Sequence, residues 1–153
     1  MPSSNARARR QLDQRLAALR PLLEQPRPHR GWVRAIRDAL GMSSTELAAR
    51  LGVSQATVAG IERNEQADRI QLDTLRRAAD AMDCELVYAL VPRTSLEEAV
   101  QAQAEAKARR HLGQVGHHSR LEDQAIPDEA ARAQLDDLVE RLIDKRGLWS
   151  SAS

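Results

Sequence analysis

Ser54, Gln55, Ala56 and Thr57 combine hydrogen-bonding groups with very little bulk, and no large side chain follows until Val58. A glutamine carboxamide matches the N6 and N7 edge of adenine, and an alanine or a threonine methyl fits against the methyl of thymine. The Ser54 hydroxyl and the free N–H groups of a helix start suit phosphate oxygens. Ser43 and Ser44 offer the same chemistry a little upstream, Arg63 falls where a flanking phosphate backbone would run, and Arg37 is a looser candidate. Gly60 sits at a position that presents no side chain at all. This is chemistry for reading a groove rather than for making or breaking bonds. No Ser-His-Asp order, phosphate-cradling glycine loop or carboxylate pair has a persuasive context, so the chain reads as a non-enzyme without cofactor.

Such a set works only on a helix whose start is exposed. "SSTELAARL" opens with a capping box in which Ser43 accepts from the Glu46 N–H and the Glu46 carboxylate reaches back. Gly52 ends that helix and Ser54 caps the next, which buries Val58 and Ile61 and has Asn64 as its expected C-terminal cap. Before them, "WVRAIRDAL" offers Trp32, Val33, Ile36 and Leu40 to one face and stops at Gly41. After them, "QLDTLRRAADAM" carries Leu72, Leu75, Ala79 and Met82, with Asp83 in a place that favours the left-handed conformation. The tight "LGVS" turn forces two helices to cross steeply, the helix-turn-helix geometry. The alternative is a small helical bundle used for protein contacts.

The rest of the chain frames this core. Leu12, Leu16, Leu19 and Leu23 recur at helical spacing until Pro21 ends or kinks the pattern, and "QPRPHRG" reads as a linker. "CELVYALVP" alternates Leu86, Tyr88 and Leu90 with Val87, Ala89 and Val91, which predicts a strand at 85–91. A lone strand needs a partner, and a second copy of the chain would supply one as a homodimer. "TSLEEAVQAQAEAKARRHL" is a helix, residues 113–125 read as a polar loop, and "PDEAARAQLDDLVERLIDKRG" carries helix start and stop signals. The predicted organisation is a mostly α protein: an N-terminal helical arm at 1–28, a helix-turn-helix domain with its strand at 29–92, and a C-terminal helical region at 93–153.

Charge and composition narrow the class. The net charge is +1, but residues 1–50 hold ten arginines and four acids, residues 51–100 five arginines and nine acids. A basic N-terminal third suits a phosphate backbone, or forms a solvated arginine surface. Arg7, Arg9, Arg10 and Arg15 belong either to an arm on DNA or to the exposed side of a helix packed by its leucines. The aromatics are Trp32, Tyr88 and Trp149, so the core must come from aliphatic residues. The single Cys84 excludes an internal disulfide, and His111, His117 and His118 lack the companions of a metal site. No apolar run spans a bilayer and no signal-like region opens the chain, so the expectation is a cytoplasmic protein without membrane contact.

The spacing Ala48, Gly52, Val58, Ile61 resembles the lambda/434-repressor-like, XRE-type helix-turn-helix domains over about residues 31–83. Related repressors often place a long polar residue where this chain has Ala59 or Gly60, so base readout by side chains spans few positions. "ARARRQLDQRLAALRPL", "GWVRAIRDALGMSSTELAARLGVSQATVAGIERNE", "LRRAADAMDCELVYALVPR" and "LEDQA" together look like the mobile mystery protein A family. Members are encoded beside mobile mystery protein B, a Fic-domain protein. Fic domains transfer AMP from ATP to protein hydroxyls. The resemblance implies an antitoxin-type autorepressor that partners a Fic enzyme, or an inhibitor module of that enzyme without DNA binding. It marks Glu98, spaced from Thr94 as in Fic inhibitory motifs but followed by Ala99, and Leu121, Glu122 and Asp123 of "LEDQA" as partner-binding candidates.

Overall fold

A computed structural model describes residues 3–119 and 128–151. Among the described residues it has α1 (Ser4–Ala17), α2 (Trp32–Ala39), α3 (Ser44–Leu51), α4 (Gln55–Gln66), α5 (Leu72–Ala81), α6 (Leu96–Ser119) and α7 (Asp128–Leu142), with a 3-10 turn at Arg20–Glu24. No helix among the described residues is long and apolar enough to cross a membrane. The chain divides into two compact units. Pro21–Leu90 holds α2 to α5, and the other unit holds α1, α6 and α7.

In the first of these, Val33, Leu47, Ala48, Val58, Ile61, Ala78 and Met82 form one buried core. Leu47 and Val58 are fully covered, so truncating Leu47 to alanine would cost roughly 2–5 kcal/mol. The capping box of α3 is present: Ser43 Oγ accepts from the Glu46 N–H at 3.1 Å, and Glu46 Oε2 accepts from the Ser43 N–H at 2.7 Å. Gly52 adopts φ +67° and the Val53 N–H turns back onto the Ala48 carbonyl at 3.0 Å. The buried Ala48 leaves room for that crossing. Asp83 takes φ +57° after α5, the left-handed conformation its position demands.

Several expectations need correction in this unit, among them Leu72 of α5, which is 47% exposed rather than facing the core. Trp32 and Leu40 are 54% and 55% exposed, because the inward side of the short helix α2 is centred on Val33 and Arg37. Asn64 does not cap α4. The helix continues to Gln66, Asp68 takes the left-handed turn at φ +57°, and the Arg69 N–H closes onto the Asn64 carbonyl at 2.8 Å. The extra turn holds Glu65 inside, where its carboxylate accepts from the N–H groups of Trp32 at 2.6 Å and Val33 at 2.9 Å. Last, residues 84–92 contain no strand. The alternation there is a local signal, but a strand exists only with a ladder partner, and no described segment pairs with it. Val87, Tyr88 and Leu90 are left 79%, 65% and 89% exposed.

The other unit is built on helix capping at a distance. Asp13 of α1 accepts from the N–H groups of Leu96 at 2.7 Å and Glu97 at 3.2 Å, and so caps α6. Ser95 and Glu98 close a capping box at the same end, with Ser95 Oγ 3.0 Å from the Glu98 N–H and Glu98 Oε2 3.2 Å from the Ser95 N–H. Arg9 pairs with Glu97 at 2.9 Å and with Asp144. That pairing, helped by Ser3, holds the Asp144 carboxyl below its ordinary range. Ala104, Ala108, Val139 and Leu148 are the buried core between α6 and α7. The loop expected from residue 113 is not there: α6 runs to Ser119 through Gly113 and Gly116. Neither glycine adopts a positive φ, and each costs a helix only about 1 kcal/mol relative to alanine. Residues 120–125 of that expected loop, with Leu121, Glu122 and Asp123, lie outside the described residues.

Candidate nucleic-acid interface

The first turns of α3 and α4 stand side by side. Gln55 Nε2 donates to Ser44 Oγ at 2.9 Å, tying one helix start to the other. Ser54 Oγ accepts from the Thr57 N–H at 3.1 Å and lies 2.9 Å from Thr57 Oγ1. Ser43 and Ser54 therefore act as caps in this structure, and each fixes the direction of its helix. Hydrogen bonding from the Ser43 backbone holds the Glu46 carboxyl below the usual carboxylate range, so the charge at that N-terminus is secure. Gln55, Ala56, Thr57, Ala59 and Arg63 are all exposed. Positions 55, 59 and 63 repeat every four residues and share one side of α4.

Gly60 has a helical backbone and open space around it: a Cβ built there meets nothing within 4 Å. Neither packing nor backbone conformation in this unit requires glycine at 60. A bare helix surface lets another backbone come close.

Residues 33–88 match the family model described as Helix-turn-helix. Residues 33–88 are a helix-turn-helix domain. It is the XRE type, a DNA-binding regulatory class of domain that is not normally enzymatic. No curated protein and no solved structure matches the chain.

Within the helix-turn-helix domain, Arg37 faces inward rather than out. Its Nε donates to Glu62 Oε1 at 2.7 Å and its Nη1 to the Met42 carbonyl at 2.9 Å, and only 8% of the residue is exposed. The hydrogen bond to Glu62 raises the guanidinium above its ordinary value, so the charge is permanent. Arg37 Nη1 also pairs with Asp38 at 3.1 Å, so it is removal of Arg37 that would strand a buried charge, leaving Glu62 with only Arg34 at 4.0 Å, a loss that typically costs about 3–5 kcal/mol. The sequence offered Arg37 as a surface contact because nothing local reveals that α4 supplies its carboxylate.

Glu65 was not singled out from the sequence. It is 3% exposed and caps α2 across 32 residues of chain, where a side-chain cap on Gly31 is impossible. Arg27 braces the same corner by donating to the carbonyls of Glu65 and Gln66 and to Asp68. Arg30 and Arg34 were also missed. They border a cleft together with Ala59, Glu62 and Arg63 of α4. The i, i+4 spacing of Arg30 and Arg34 was readable, but not the helix they would meet. Glu98 lies in the other unit, where its carboxylate is engaged with the Ser95 N–H.

Proposed function

We propose that this protein is a sequence-specific DNA-binding transcriptional regulator that reads a duplex through the first turn of α4. The observation that carries this reading is the exposed, thin helix start Gln55–Thr57, with Gln55 oriented by Ser44. Gln55 is the base reader. Ser43 and Ser54, with the helix N-termini they sit on, face the phosphates, while Ser44 acts by orienting Gln55. Ala56 and Thr57 meet thymine methyls, and the bare Gly60 admits the duplex closely. A footprint on the DNA upstream of its own gene tests the reading. Full-length protein should protect a discrete site there, and Gln55→Ala should need a higher concentration to protect it. An absence of protection even at low salt would make the domain a protein-interaction module instead.

One such domain covers half a site, and two copies about 34 Å apart complete it. The exposed apolar run Val87, Tyr88 and Leu90 supports a homodimer in which this segment pairs with its own copy. A monomeric mass by light scattering, with and without DNA, would rule that out. The likeness of the quoted segments to mobile mystery protein A supports a further role as an antitoxin-type autorepressor partnering a Fic-domain protein. Co-expression tests it: the Fic-domain protein encoded beside this gene should co-purify with it, and its failure to do so would remove the partner.

A further inference from the structure

The cleft between α2 and α4 has a volume of about 500 Å³ and is lined by His29, Arg30, Arg34, Glu62, Arg63 and Ala59. Its one acid is already matched, since Glu62 Oε1 is held by Arg37 at 2.7 Å. Arg34 is not. Its Nε has no hydrogen-bond partner, and the nearest carboxylate oxygens, on Asp38 at 3.6 Å and Glu62 at 4.0 Å, lie beyond hydrogen-bond reach. Arg30 and Arg63 are exposed and take part in no ion pair among the described residues. Three guanidiniums therefore line one opening whose single acid, Glu62, is hydrogen-bonded to Arg37 and reaches Arg34 only at 4.0 Å.

The position of the cleft gives it a use. Arg63 lies eight residues beyond Gln55 on the same side of α4, about 12 Å along the axis at 1.5 Å per residue. The major groove is also about 12 Å wide. With Gln55 at the base edges, Arg63 reaches the groove wall, and Ala59 between them leaves the path clear. We infer that Arg30, Arg34 and Arg63 form a phosphate clamp on the DNA strand flanking the groove. The inference rests on the DNA-binding reading above. Guanidiniums hold phosphate oxygens by paired N–H donation, and such pairing carries no sequence information.

The test is a salt series of fluorescence-anisotropy titrations with full-length protein. The probes are a labelled duplex from upstream of its own gene and a scrambled duplex of the same composition. Arg30→Gln/Arg34→Gln should weaken both duplexes by a similar several-fold factor and make the salt slope shallower by about 0.9 for each phosphate that is no longer neutralised. Arg30→Gln alone, at an exposed position, should show the same direction without loss of thermal stability, and Arg34→Lys should restore part of the affinity. A double variant that folds and keeps the wild-type salt slope overturns the clamp. If inorganic phosphate raises the melting temperature of wild type but not of the double variant, while the DNA slope is unchanged, the cleft serves a soluble phosphate and the clamp also fails. If wild type binds neither duplex, the DNA-binding reading itself fails and takes the clamp with it. If Gln55→Ala alone removes the preference for the upstream duplex and leaves the salt slope intact, base reading and the clamp are separate devices.

Discussion

Gln55 Nε2 donates to Ser44 Oγ at 2.9 Å, so the first turn of α4 is aimed by the first turn of α3. The carboxamide still has its oxygen and one N–H free, enough for one adenine edge. Gln55→Ala should cost about 1–3 kcal/mol of DNA affinity and relax preference at one base position. Ser44→Ala should relax the same position by a smaller amount, because Gln55 is then free to rotate. In a double-mutant cycle the two effects should be strongly non-additive, with the double variant no weaker than Gln55→Ala. Additive effects would mean that the serine touches DNA on its own account.

Gly60 separates stability from binding. A methyl group at 60 meets nothing in the protein, so Gly60→Ala should raise the stability of the domain by about 0.4–1 kcal/mol. The same methyl should weaken DNA binding if the duplex approaches here. A variant with a higher melting temperature and unchanged affinity would place the duplex elsewhere on α4.

Glu65 makes the corner at Gly31. Glu65→Ala would leave the Trp32 and Val33 N–H groups without acceptors and should destabilise the domain by about 2–3 kcal/mol. For a domain of this size that is a fall in melting temperature of roughly 8–24 °C. Gly31→Ala should also destabilise it, since Gly31 has φ +86° and an added Cβ would sit 2.8 Å from Glu65 Oε2. Thermal unfolding followed by circular dichroism checks both.

Asp144 predicts an acid-sensitive unit of α1, α6 and α7. Arg9, then Ser3, hold its carboxyl below the ordinary value of 3.8. A depressed carboxylate contributes stability above its unfolded value and loses it as pH falls through the folded one. The contribution should therefore be complete above about pH 5 and drain away below 3.8, while Arg9 stays charged throughout. With Trp32→Phe, Trp149 reports on this unit alone. Its unfolding midpoint should fall over that acid range in the wild-type pair and fall less in Asp144→Asn.

Much of the domain was legible because its signals are short. The capping box at Ser43 and Glu46, the left-handed Gly52 and the cap at Ser54 each involve residues within four positions of one another. Local chemistry decides those features, and the same chemistry exposes Gln55. The strand at 85–91 failed for the complementary reason: its alternation is local, but its hydrogen bonds would have to come from elsewhere. The loop expected at 113 failed because glycine disfavours a helix without forbidding one.

What the amino-acid order determined by itself was where the helices of the domain begin, that Val58 and Ile61 anchor α4 in the core, and that the start of α4 is thin and polar. Tertiary structure alone decided which charges are used up inside. Arg37 and Arg34 stand three residues apart on one short helix, yet Glu62 of α4 holds the first at 2.7 Å and leaves the second 4.0 Å away. Ion pairs and distant caps depend on ångström-scale distances between elements far apart in the chain. Coulomb and hydrogen-bond energies fall off over that same scale, and no spacing along the sequence encodes it.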